Sequence, residues 1–131
     1  MTYVQGKIAV ITGATSGVGR AIALRLASEG VRLCLIGRRA DALDEVVRLA
    51  SAGTASAKGY RADLASETDL DGLISQLRND LGGVDILIHS AGEILFGRIE
   101  DASAGDLDRQ YRINVRAPYA LTRALLPMMK P

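Results

Sequence analysis

The chain has 131 residues, an ordinary single-domain length, with 48% apolar residues, 24% charged residues and a formal net charge of +1. That balance excludes disordered, collagen-like and coiled-coil chains, and it gives no broad field for nucleic acid or an acidic membrane. The single cysteine, Cys34, lies in an apolar run with no internal disulfide partner, which fits a reducing cytoplasm; nothing near the start reads as a signal peptide, and no stretch approaches the roughly 20 apolar residues of a membrane span.

Residues 7–12 (KIAVIT) form a nearly continuous apolar run, as a strand covered on both faces should. From Gly17 the period changes. Val18, Ile22 and Leu26 fall four apart beside Ala23 and Ala27, while Arg20, Arg25 and Glu29 face away, so a helix follows and Gly30 stops it. Residues 32–36 read as a second strand. Leu43, Val46, Val47 and Ala50 give the next helical face, with Gly53 after it.

Residues 57–62 are a weaker third strand, recognised mainly from their place in the alternation. Ser66 with Asp69 is a capping pair, and Leu70, Leu73, Ile74, Leu77 and Leu81 form a clear stripe closed by Gly82-Gly83. Residues 84–88 (VDILI) are the fourth strand. Ser103 with Asp106 resembles another cap, from which a helix runs to about Met129. Strands alternating with helices of this length imply right-handed βαβ units and a parallel sheet. No linker or low-complexity tract divides residues 1–131, so one domain is expected.

The first strand runs directly into Thr12-Gly13-Ala14-Thr15-Ser16-Gly17-Val18-Gly19. Gly13 lets the chain turn sharply, Gly17 removes a Cβ that would hold the backbone off a phosphate, and Gly19 lets the helix lie close to the sheet. Unpaired N–H groups at the helix start then face the anion. A bare glycine triplet can also serve only a tight connection. The context favours a nucleotide: the loop follows the first strand and opens an amphipathic helix. A Walker-type loop is excluded, because Gly19-Arg20-Ala21 lacks the lysine and the hydroxyl.

With that loop in hand, the chain resembles the short-chain dehydrogenase/reductase family. The resemblance runs along essentially the whole chain and covers the N-terminal half of a typical member. Four further stations match in order: Gly37-Arg38-Arg39 after the second strand, Asp63-Leu64 after the third, Ala91-Gly92 after the fourth, and Asn114 in the last helix. The resemblance implies an α/β fold, a Rossmann-type doubly wound parallel sheet truncated after about four strands and the fourth long helix. It also implies an oxidoreductase that moves hydride between NADP(H) and a carbonyl or alcohol, with no metal.

The cofactor residues implied are Gly13, Thr15, Ser16, Gly17, Val18 and Gly19 in the loop, then Arg38, Arg39, Asp63, Leu64, Ser90, Ala91 and Gly92. Where NAD-preferring sites usually carry an acid, this chain has Gly37 followed by two arginines, whose guanidinium groups suit a 2′-phosphate; NADP is expected rather than NAD. Asp63 is similar to the family acid that meets the adenine amino group, with Leu64 supplying a backbone N–H. His89-Ser90-Ala91-Gly92 stands where the family has Asn-Asn-Ala-Gly, and His89 reads as a strand-end histidine satisfied by hydrogen bonds rather than as an acid/base.

Asn114 is the residue implied in catalysis. Pro118, four residues on, has no N–H for the Asn114 carbonyl, which fits the family's use of a helix break here to seat a relay water.

The family's serine, tyrosine and lysine lie beyond the helix that carries Asn114, whereas this sequence ends at Lys130-Pro131. Tyr3 with Lys7 lies at the wrong end of the sheet, and Tyr119 with Arg123 lacks the lysine. The chain alone is therefore expected to bind a dinucleotide without turning over, and a small-molecule substrate is expected only in a longer parent chain. Strand 84–88 would leave an open edge beside Leu121, Leu125, Leu126, Met128 and Met129, so self-association into a homo-oligomer is expected. The alternative reading is a non-catalytic nucleotide-binding or subunit-interaction module from a truncated reading frame.

Overall fold

Short apolar strands alternating with amphipathic stripes bury both kinds of surface when helices cover the two faces of one sheet. The computed structural model describes residues 3–52 and 56–131. Its elements, in order, are β1 (Ile8–Thr12), α1 (Gly17–Ser28), β2 (Arg32–Gly37), α2 (Ala40–Ser51), β3 (Ala57–Arg61), α3 (Glu67–Asp80) and β4 (Ile86–His89). A 3₁₀ turn (Ile99–Asp101), α4 (Ala104–Tyr111), a π-helical segment (Arg112–Arg116) and α5 (Ala117–Met129) complete the chain. The four strands lie in the order β3-β2-β1-β4, every pair parallel. The parallel sheet expected from the alternation is present, in the Rossmann-type form that the resemblance implies. Gly53, read as the stop after the second helix, lies outside the described residues.

Alternate residues of each strand point to opposite faces, and the two faces have separate cores. Ala9, Ile11, Leu33 and Leu35 pack with Ala23 and Ala27 of α1 and Leu43, Val46 and Ala50 of α2. Val10, Cys34, Ile36 and Tyr60 pack with Leu73 and Leu77 of α3 and Leu121 and Leu125 of α5. The sheet is thus doubly wound.

The local signals act where the pattern places them. Ser66 Oγ accepts the Asp69 N–H at 3.2 Å, and Ser103 Oγ accepts that of Asp106 at 3.0 Å. Gly30 has φ +78°, and the Val31 N–H reaches back to the Leu26 carbonyl, so the chain leaves α1 through a left-handed turn that favours glycine. The third strand is marked by little in its own sequence. Gly59 there lets Leu43 and Val47 of α2 close onto the strand, since a Cβ would come within 3.1 Å of both. Tyr60 donates to Asp80 Oδ2 at 2.8 Å and Lys58 to the same oxygen at 2.7 Å, which ties β3 to the end of α3.

Two expectations are corrected. The last helix is not uniform: the Ala117 N–H reaches the Arg112 carbonyl, a π turn, just before Pro118, which has no donor of its own. The apolar face of α5 is also divided. Leu121 and Leu125 are fully buried in the core, Met128 and Met129 are half-buried, and Leu126 is exposed. The large exposed apolar side chains gather instead on the segment after β4 and on α4, at Ile94, Phe96, Ile99, Leu107 and Tyr111. Among the described residues β4 pairs only with β1, so one edge of the sheet is open there. No helix among the described residues is long and apolar enough to cross a membrane.

Candidate functional site

All four strands run in one direction, so the loops that leave them meet at one end of the sheet. A cleft of about 600 Å³ opens there. It is lined by Gly13, Thr15, Ser16, Gly17 and Val18 from the loop after β1, by Arg38 and Arg39 after β2, by Asp63 and Leu64 after β3, and by Ser90, Ala91 and Gly92 after β4. Twelve sequence-read residues, from four separate loops, therefore share one concavity.

The glycine loop is built by contact and by conformation together. Gly13 has φ +62°, and a Cβ there would come within 2.8 Å of the Ser90–Ala91 backbone, so both the turn and the approach of β4 require glycine. Gly17 has φ +56° with open space where a Cβ would stand, so its backbone faces the cleft bare. Gly19 is different. It is buried and does not line the cleft; a Cβ would overlap the Gly13 carbonyl and come within 2.9 Å of Ser90 Oγ. Its task is to let the helix close onto the loop itself.

The start of α1 differs from the starts of α3 and α4. Ser66 and Ser103 cap those helices, whereas Ser16 makes no side-chain cap and the first turn of α1 holds no acid. The leading N–H groups of a 12-residue helix thus open on the cleft with the positive end of its dipole. Such a start has the donors and the dipole sign that suit an anion.

Thr12, the last residue of β1 and the first of the glycine loop, braces the floor. Its buried hydroxyl oxygen accepts the N–H groups of both Ser90 and Ala91 at 3.1 Å, locking the exit of β4 to the exit of β1. Gly37 makes room for the Thr15 methyl, since a Cβ would come within 2.5 Å of it. Arg38 is held by its backbone: the Arg61 Nε–H donates to the Arg38 carbonyl at 3.0 Å. Arg61 also donates to Asp69 Oδ2 at 2.9 Å, and that same oxygen accepts the Asp63 N–H at 2.9 Å. One carboxylate thereby links the Arg38 and Asp63 loops.

Asn114 does not line the cleft. Its amide brackets the Glu93 backbone, with Oδ1 accepting the Glu93 N–H at 2.9 Å and Nδ2 donating to the Glu93 carbonyl at 2.7 Å. His89 Nε2 lies 2.8 Å from Thr122 Oγ1 of α5, and desolvation of the ring holds its pKa below the ordinary 6.5. A hydrogen-bonded strand-end histidine was expected, and that is what stands there. Cys34 is a free thiol, buried, and its pKa is pushed up chiefly by that burial. Tyr3 and Tyr119 are both strongly exposed and neither lines the cleft.

Sequence reading missed two charged residues of the cleft, Glu93 and Arg109. Arg109 Nε lies 3.0 and 3.2 Å from the two oxygens of Glu93, and its Nη1 lies 3.6 Å from Asp63 Oδ2. The hydrogen bond that Arg109 donates to Glu93, with the charge of Asp63, pushes the guanidinium above its ordinary basicity. The only sequence signal was position, since Glu93 directly follows Ala91-Gly92 and Arg109 lies one helical stretch before Asn114.

Comparison with known proteins agrees with this geometry. The family profile described as short chain dehydrogenase matches residues 7–131. An uncharacterized oxidoreductase from Staphylococcus aureus (strain MRSA252) is 36% identical over 129 residues, covering 98% of this chain and 55% of that protein. A metagenomic short-chain oxidoreductase solved in complex with NADP superposes with a TM-score of 0.91 at 32% identity, covering 98% of this chain and 58% of the other. An NAD+-bound xylitol dehydrogenase superposes with a TM-score of 0.87 at 29% identity, covering 98% and 50%. The chain spans about half the length of the curated relatives it matches.

Proposed function

The chain belongs to the short-chain dehydrogenase family, and on that premise we propose that residues 1–131 form its NADP-binding domain, part of an oxidoreductase acting on a carbonyl or alcohol. The observation that carries this reading is the uncapped start of α1, facing a cleft whose other walls bear Arg38, Arg39 and Asp63. In this reading the N–H groups at Gly17–Gly19 take the diphosphate, and the bare backbone of Gly17 lets it approach. Arg38 and Arg39 take the 2′-phosphate, and Asp63 with Leu64 holds the adenine. Ser90, Ala91 and Gly92 line the approach of the cofactor's adenine-ribose side to the end of β4.

The fit is chemical as well as spatial. Two guanidinium groups after β2 suit a phosphate monoester and leave no acid for a ribose hydroxyl, which favours NADP over NAD. A solved relative with NADP supports the same choice, and one with NAD+ shows that the fold accepts either. Bound nicotinamide would supply hydride at C4. Asn114 would keep the exit of β4 in place through the Glu93 backbone, with its own carbonyl, four residues before Pro118, offered to a relay water. The serine, tyrosine and lysine of the reaction are not assigned to any residue of this chain, so turnover and substrate belong to a polypeptide that supplies them.

Titration of NADPH fluorescence tests the reading. Saturable binding is expected, and Gly17→Leu should abolish it while leaving the far-ultraviolet circular dichroism unchanged. Absence of binding by the unaltered protein would reject it. The buried free thiol fits a cytoplasmic setting. The open β4 edge and the exposed Ile94, Phe96 and Ile99 support self-association; a single monomeric species in sedimentation at micromolar concentration would reject that.

A further inference from the structure

Asp63 and Glu93 follow β3 and β4, which are the outermost strands of the sheet. At the usual spacing of about 4.8 Å per strand these edges stand roughly 14 Å apart. The glycine loop after β1 and Arg38 after β2 lie between them. One side chain reaches both outer loops: Arg109, from α4, contacts Glu93 through Nε and Asp63 through Nη1. All three side chains are about a quarter to a third exposed, so water screens these contacts only in part.

The arrangement matters because of what the cleft has to hold. Two carboxylates line a cavity that also carries the anion-binding helix start. Left unpaired, they would repel a diphosphate entering beside them. Arg109 offsets both. Its Nε faces both oxygens of Glu93, which fixes that carboxylate as well as neutralising it. Asn114 holds the Glu93 backbone through both its N–H and its carbonyl.

We propose that Arg109 is a positioning residue for the dinucleotide: by pairing with Asp63 and Glu93 it ties the two outer loops together and keeps their carboxylates off the phosphates. The proposal rests on the dinucleotide reading of the cleft. It differs from simple bracing in one respect, since removing the Glu93 charge should compensate for losing Arg109.

The test is NADPH affinity, by fluorescence titration at low ionic strength, in four proteins. The unaltered protein binds. Arg109→Gln is expected to weaken binding by roughly tenfold, as for loss of a charged hydrogen bond. Arg109→Gln combined with Glu93→Gln should recover to within about threefold of the unaltered protein, because the one carboxylate then left without the guanidinium is Asp63, which is partly exposed and still accepts the Ala65 N–H. Arg109→Lys, which keeps charge but loses the fork, should weaken binding by about threefold.

Unchanged affinity in Arg109→Gln, or equal loss in the single and double variants, overturns the proposal. If Arg109→Gln does not fold, Arg109→Lys decides, and affinity equal to that of the unaltered protein rejects it. Failure of the unaltered protein to bind NADPH removes both the proposal and the reading beneath it, whereas binding that ignores Arg109 removes the proposal alone.

Discussion

The side-chain amide of Asn114 clasps the backbone of Glu93, accepting its N–H at 2.9 Å and donating to its carbonyl at 2.7 Å. Sequence separation is 21 residues, and the pair joins the π-helical segment before α5 to the chain leaving β4. An amide carries its donor and its acceptor on separate atoms, which lets it bracket one residue's N–H and C=O together. Asn114→Leu should therefore destabilise the protein by about 1–2 kcal/mol, the worth of two partly solvated hydrogen bonds. It should also weaken NADPH binding, because Glu93 lines the cleft. Urea denaturation with a parallel titration checks both, and a variant unchanged in stability would show that the clasp contributes nothing.

Gly17 and Gly19 lie two residues apart and should fail in different ways. At Gly19 an added Cβ meets the Gly13 carbonyl and Ser90 Oγ, so Gly19→Ala should cost about 3 kcal/mol through overpacking against backbone. At Gly17 nothing stands within 4 Å, and the penalty of Gly17→Ala is the left-handed backbone alone, about 1–2 kcal/mol. Gly17→Ala should lose NADPH affinity out of proportion to stability. Equal stability losses in the two variants would contradict this division.

Arg38 governs the choice of cofactor in this account. Arg38→Asp replaces a guanidinium with a group that repels a 2′-phosphate and accepts from ribose hydroxyls. The ratio of NADH to NADPH affinity should rise by at least about tenfold, the free-energy worth of one charged hydrogen bond. Paired titrations measure it, and an unaltered ratio would place the phosphate elsewhere.

His89 should make the protein lose stability in mild acid. Desolvation depresses its folded pKa below the unfolded value near 6.5, so the unfolded state binds more protons as pH falls through that range. Stability is then full above about pH 7 and declines towards the folded pKa. His89→Gln keeps a hydrogen-bonding partner for Thr122 without the titration. Urea midpoints at pH 7.5 and 5.5 should converge in the variant, and an undiminished difference would assign the effect to other groups.

Much of the architecture was legible because each element carries its own signal. The period changes at Gly17, the left-handed turn at Gly30 and the caps at Ser66 and Ser103 are local features, and local features are what a sequence displays. The cleft residues were legible for a related reason: parallel strands bring all their exits to one end, so a residue just after a strand is placed by its index alone. What escaped depends on contacts between distant segments. Thr12 reaches the Ser90 and Ala91 N–H groups across 78 and 79 residues, and Arg109 reaches Glu93 across 16. The π turn escaped because Pro118 announces a missing donor but not the register that absorbs it. The division of α5 between Leu125 and Leu126 depends on where the helix docks, which its hydrophobic stripe leaves open by about one residue.

Backbone amides at the entry to α1 are the groups proposed to bind the diphosphate. Amide nitrogen–proton correlation spectra recorded during addition of NADPH test that assignment residue by residue. Saturable shifts are expected at Ser16, Gly17, Val18 and Gly19, with smaller ones at Arg38, Asp63 and Ala91. Binding that leaves the Ser16–Gly19 amides unmoved would contradict it.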